Sequence, residues 1–129
     1  PSSYKRISKR ALKLLSSGEN KFVNYKEKVQ GLHAEDLVAF ANSFSGGAIL
    51  IGVREKITPN GDHIGEPIGH PMDDATRLQI LSKALSCSPT VQIEIVSENL
   101  STKPFYRIEI PSGGHKPYAT NSGTSIVSG

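Results

Sequence analysis

The chain has 129 residues, of which 36% are hydrophobic, one cysteine and a net charge of +3. That length supports one domain whose core needs no staples, and the apolar content is too high for a disordered tail. The longest apolar run, Ala48 to Val53, is too short to span a membrane, and the lone Cys87 excludes an internal disulfide or a cysteine-based zinc cluster.

Charge is unevenly placed. Residues 1–28 hold eight basic side chains against two acidic ones, a net +6, while the rest of the chain is −3. A basic beginning on a mildly acidic body suggests a surface aimed at a polyanion, against the simpler reading of a solvated helix face. The beginning is charged rather than apolar, so no secretory signal is read there. With a single cysteine, a reducing cytoplasm is the expected setting.

In chain order, Tyr4 to Ser16 reads as an amphipathic helix. Ile7, Ala11, Leu14 and Leu15 fall on one face, and Lys5, Arg6, Lys9, Arg10 and Lys13 form a cationic stripe on the other. Like charges at that spacing repel slightly, a cost that a bound anion would relieve. Gly18 reads as the stop. Lys21 to Val29 alternates as a strand, with Asn24, Lys26 and Lys28 on its polar face. Leu32 to Phe44 is a second helix, with Leu37, Phe40, Ala41 and Phe44 turned inward. After Ser45-Gly46-Gly47, the run Ala48 to Val53 has no alternation and reads as a central strand covered on both faces. Pro59-Asn60-Gly61-Asp62 is a turn, and His63 to Gly69 completes a hairpin. Ala75 to Ser86 is a third helix with Ile80, Leu81, Ala84 and Leu85 as its core face, stopped before Pro89. Thr90 to Ser97 and Pro104 to Ile110 are two more strands joined by a loop. The Gly-, Ser- and Pro-rich tail ends near Ile126-Val127, where a last short strand is conceivable. Helices separated by pairs of strands point to an α+β sandwich on a mixed or antiparallel sheet.

Several of these stretches together resemble one family. GENKFVNYK, AFANSFSGGAILIGV, NGDHIGEPIG, IPSGGHKPY and the closing G-x-S-I-V-x-G resemble the Schlafen-type, Alba-like domain, in the right order and over nearly the whole chain. The resemblance implies an Alba-like α+β fold spanning residues 1–129 and nucleic acid, DNA or RNA, as partner. In many bacterial and archaeal relatives such a domain precedes a winged helix or an ATPase, which implies a piece of a longer, regulatory protein. It also implies an alternative activity, because some Schlafen proteins are divalent-metal endoribonucleases. Carboxylates converging on one point hold a hard cation, which activates water at the scissile phosphate. Carried over residue by residue, the first glutamate of that set is Glu19, the second position is Asn24, and the aspartate position falls on Arg54 with Glu55 beside it. An amide is a weak substitute and an arginine repels metal, so Glu19 and Glu55 are catalytic candidates for a degraded set only. The family's closing Y-h-R is replaced by Ser125-Ile126-Val127. A divalent metal enters only under this alternative, and no other cofactor is expected.

The candidate nucleic-acid contacts are therefore Lys5, Arg6, Lys9, Arg10, Lys13, Lys21, Lys26, Lys28, Arg54, Lys116 and Tyr118. Lys26, Lys28 and Arg54 would form a basic floor, unless Arg54 is only a solvated strand end. In His115 to Tyr118, Lys116 supplies charge, and Tyr118 either stacks on a base or closes the core. The double glycine reads as a packing corner rather than a phosphate loop, because it follows the C-terminal, electronegative end of a helix. The four histidines share no metal-ligand spacing. A third reading, a non-catalytic interaction or homodimerisation domain, stays open.

Overall fold

The computed structural model describes residues 2–114 and 116–121. His115 and the closing segment 122–129, with its expected last strand, lie outside the described residues. In chain order the elements are α1 (Lys9–Ser17), β1 (Val23–Lys26), a 3-10 turn (Val29–Gly31), α2 (Ala34–Asn42), β2 (Gly47–Ile51), β3 (Val53–Ile57), β4 (His63–Pro67), α3 (Asp74–Leu85), β5 (Glu94–Glu98) and β6 (Phe105–Ile110). The expected α+β class is present.

Four strands form a mixed sheet in the order β1-β2-β6-β5. β1 runs parallel to β2, and the other pairs are antiparallel. β2 is central, and its lack of alternation has the anticipated cause. Ile49 and Ile51 join Ile108 and Ile110 of β6 against Leu37, Phe40 and Ala41 of α2 and Ile80 and Ala84 of α3. Ala48 and Leu50 point to the other face, where Val23, Tyr25 and Phe105 meet Ala11, Leu14 and Leu15 of α1. The period-2 alternation of a strand thus feeds two cores at once. β3 and β4 form a separate hairpin around the Pro59–Asp62 turn, with Ile57 opposite His63. Gly52, at φ 98°, makes the bend that detaches this hairpin from β2.

Several local expectations are corrected. The first helix starts at Lys9, not Tyr4, because Ser8 caps it by accepting from the Ala11 amide at 3.2 Å. Residues 2–6 run along the end of β5 and the loop after it, bending at Lys5 and Arg6. Tyr4 N–H donates to the Ser97 carbonyl at 2.8 Å, and Ser97 N–H donates to that of Ser2 at 3.0 Å. This ribbon covers the outer edge of β5. The second helix stops at Asn42, and Phe44, expected in the core, is 94% exposed. On α3 only Ile80 and Ala84 of the four expected core residues are buried; Leu81 and Leu85 are exposed, as is Leu78.

The double glycine is a packing corner. Gly46 has φ 73°, and a Cβ there would lie 2.3 Å from the Ile110 carbonyl oxygen. A Cβ on Gly47 would lie 2.3 Å from the Phe40 ring. No side chain fits at either position without moving backbone or core.

Candidate nucleic-acid interface

The site begins with the way α1 is held. Its N-terminus rests on a carboxylate from β5: Ser8 donates its N–H and its hydroxyl to the two oxygens of Glu98, at 2.8 and 2.6 Å. A helix N-terminus favours such a negative charge. Arg107, which lies diagonally across the β5–β6 pair from Glu98 and directly opposite Val96, donates Nε to Glu98 Oε2 at 2.9 Å and Nη1 to Glu109 Oε2. Arg10 of α1 closes the chain by forking onto Glu109 at 2.9 and 3.0 Å. Glu98 is fully buried and Arg107 nearly so. Burial alone would raise the Glu109 carboxyl, but hydrogen bonds from Arg10 and Arg107 overcome it and hold the group below the usual glutamate range. Burial likewise works against the charged Arg107, yet its two carboxylate partners raise its pKa.

This network sorts the expected cations. Arg10, Lys26 and Arg54 are spoken for, by Glu109, by Asp36 at 3.3 Å and by Glu66 at 2.8 Å. The proposed floor of Lys26, Lys28 and Arg54 is therefore not open: two of its members face carboxylates, and Lys56 shares Glu66 with Arg54. Those partners depress the Glu66 carboxyl, Arg54 foremost. By contrast Lys5, Arg6, Lys9, Lys13, Lys21, Lys28 and Lys116 are exposed and make no ion pair among the described residues. They do not form one helical stripe. Lys9 and Lys13 do lie at i, i+4 on α1, while Lys5 and Arg6 precede the helix on the ribbon beside β5. Lys21 enters β1 and Lys28 lies past its far end. Tyr118 is 3% exposed, and it exchanges two backbone hydrogen bonds with the Asn42 amide, at 2.7 and 3.0 Å. Its ring packs in the core, so it is not presented to a base.

The carboxylate candidates are placed differently from expectation. Glu55 lies opposite Gly65, and a Cβ on Gly65 would touch Tyr25 and Leu15. Glu55, not Arg54, therefore faces the side on which Glu19 lies. Burial raises the Tyr25 hydroxyl, and both Glu19 and Glu55 raise it further. Yet Glu19 Oε2 accepts the Tyr25 backbone N–H at 2.9 Å, and Glu55 Oε1 meets His63 Nδ1 at 3.2 Å. Glu19 thus caps the outward-facing edge of β1. Asn24, next to Tyr25 on the strand, points to the opposite face. Among the described residues no group of three His, Cys, Asp or Glu side chains is arranged to hold a metal ion. Glu19 and Glu55, each engaged with another group, do not by themselves make up such a set.

Beside α1 runs a groove of ≈ 810 Å³, which the residue pattern did not point to. Its apolar bottom includes Leu14, Val23, Ile93 and Ile110; Arg10 and Lys13 of α1 form one wall, and the β1 entrance at Phe22 forms another. The backbone of Ser45-Gly46-Gly47 lines its end, so the packing corner also shapes the cleft. Phe22 is 47% exposed, and the Lys21 ammonium sits 5.2 Å from its ring centroid. The one available signal for it was Phe22 itself, a large aromatic on the polar face of an alternating strand.

An α+β domain with two cores about one mixed sheet, and with unpaired cations on and around its first helix, is the class these features define. The chain belongs to the Schlafen AlbA_2 family, whose model matches residues 19–127. It is similar to the solution structure of the N-terminal domain of a RecG-related protein from Nitrosomonas europaea, a protein named for its relation to an ATP-dependent DNA helicase. The two are 25% identical, the match covers 79% of this chain and 71% of that one, and the TM-score is 0.64. The crystal structure of the DIP2311 protein from Corynebacterium diphtheriae shares the fold at 16% identity and a TM-score of 0.54, over 88% of this chain and 23% of that one. No curated protein matches the chain. Among the described residues no helix is long and apolar enough to cross a membrane.

Proposed function

We propose that this domain binds nucleic acid through the sugar-phosphate backbone, with little dependence on sequence. One observation carries the reading. Among the described residues, six of the eight basic residues in the first 28 are exposed with no acidic partner, although the fold neutralises Arg10 and Lys26 nearby. Lys9 and Lys13 repel each other one helical turn apart, and a phosphate between them removes that cost. Family membership and the helicase-related name of the Nitrosomonas neighbour agree with such a partner. The test is fluorescence anisotropy with labelled DNA and RNA at low salt, in which binding to several unrelated sequences with similar affinity is expected. No binding to any of them removes the reading.

A second reading has its own support. Leu78, Leu81 and Leu85 are all exposed on α3 at a spacing that puts them on one stripe. A protein partner, or a second copy of this chain, would cover that stripe, consistent with an interaction domain in a larger protein. Sedimentation equilibrium tests the homodimer: a dimer that Leu81→Glu dissociates supports it, and a monomer at high concentration rejects it.

A further inference from the structure

The groove beside α1 contains features that phosphate binding alone does not need. We infer that it takes an unpaired base of a single-stranded nucleic acid, stacked on Phe22, a conclusion that rests on the polyanion reading and narrows it. Three observations converge.

The first is Phe22. It immediately precedes β1, whose first residue, Val23, is fully buried, yet its own ring lies half in solvent at the mouth of the groove. An ammonium already sits over that ring. A base is a flat π-system that can lie on the same ring, while Lys21 moves aside to the adjoining phosphate.

The second is the set of uncommitted polar groups around the apolar bottom. Lys13, Ser45, Gln92 and Glu94 line the groove, and their side chains make no hydrogen bond or ion pair among the described residues. Asn20, in the same groove, spends its amide on Gly18 and Phe22. An apolar bottom rimmed by a few solvent-exposed donors and acceptors suits a molecule that has both a flat face and a hydrogen-bonding edge. Glu94 disfavours a phosphate inside the groove, because its carboxylate repels one. It suits an exocyclic amino group of a base instead.

The third is charge placement. Lys13 lines one wall, and Lys21, whose ammonium lies over the Phe22 ring, stands beside the other, as a strand crossing the groove requires, while Glu109 inside is already neutralised by Arg10 and Arg107. A duplex keeps its base faces stacked within itself and offers none to Phe22.

The experiment uses the whole chain with three variants, Phe22→Ala, Phe22→Trp and Lys13→Ala. The probes are a single-stranded oligonucleotide carrying 2-aminopurine and the duplex of the same sequence. The expected results are quenching of 2-aminopurine by the parent protein, a loss of about ten-fold or more in single-strand affinity for Phe22→Ala, and retention in Phe22→Trp. Lys13→Ala should weaken both probes. Because Phe22 is half exposed, an unchanged melting temperature will separate lost stacking from lost folding. Salt-sensitive binding of both probes, with no quenching and no effect of Phe22→Ala, overturns this inference and leaves the polyanion reading standing. Failure of both probes to bind overturns both.

Discussion

Arg10 and Glu109 stand 99 residues apart in the chain, and the guanidinium of one grips both oxygens of the other at 2.9 and 3.0 Å. The pair fixes α1 across the sheet and consumes one cation of the helix, so Lys9 and Lys13 are left to face outward. Against the upward push of its burial, the hydrogen bonds from Arg10 and Arg107 hold the Glu109 carboxyl below the usual glutamate range. A depressed carboxyl contributes stability that is full above its unfolded pKa and disappears as pH falls through its folded one. Acid unfolding should therefore begin as pH drops below about 4.5. Glu109→Gln should be less stable at pH 7 and lose part of that acid dependence, as read from urea midpoints across the pH series. An unaltered pH profile in the variant would contradict the assignment.

Removing Arg107 tests the buried half of the network. Arg107→Met leaves the fully buried Glu98 with only Ser8 as partner. A loss of about 3–5 kcal/mol is expected, because an unpaired buried charge costs more than the pair contributes. The double variant Arg107→Met, Glu98→Leu should recover much of it. Chemical denaturation of both variants checks the difference.

Gly46→Ala tests the corner. With φ 73° and a carbonyl oxygen 2.3 Å from the new Cβ, strain and displacement combine, and a loss of about 1–3 kcal/mol is expected. The melting temperature should fall accordingly. A neutral result would show that the corner is looser than its geometry.

Glu19→Ala separates a strand-edge cap from a metal ligand. As a cap for the Tyr25 N–H, Glu19 contributes about 1 kcal/mol, and its removal should lower the melting temperature slightly. Manganese should not raise the melting temperature of the parent, and structured RNA should stay intact with manganese present. A manganese-dependent shift or cleavage that Glu19→Ala abolishes would restore the ribonuclease alternative.

How much of this was legible in the chain follows from where each determinant lies. The helices, the hairpin turn and the doubly covered β2 come from local patterns, and those were readable. The start of α1 was not. Lys5 and Ile7 continue the helical spacing backward, but Tyr4 and Lys5 find backbone partners in residues 97–101, and no local pattern encodes a pairing across the whole chain. Phe44 looked like another core position because it extends the spacing of Leu37, Phe40 and Ala41. The helix ends two residues earlier, where the Ser43 hydroxyl donates to the Phe40 carbonyl at 2.7 Å. The cations of the candidate site were visible as a composition bias. Which of them stay free was not, since that depends on carboxylates the fold brings to them: Glu109 for Arg10, far along the chain, and Asp36 and Glu66 for Lys26 and Arg54, in the neighbouring elements. Glu98 falls just past the alternating stretch that ends at Ser97, and only its pairing with Phe105 at the end of β5 places it within reach of Ser8 and Arg107.

The most direct test of the central claim is the salt dependence of nucleic-acid affinity for the parent chain and for Lys9→Glu, Lys13→Glu. If these lysines each displace a counterion, affinity should fall steeply with salt. The variant's slope should then be shallower by about 1.4–1.8 on logarithmic axes, whatever the sequence bound. A parent affinity indifferent to salt, or a variant with the parent's slope and affinity, would contradict the account.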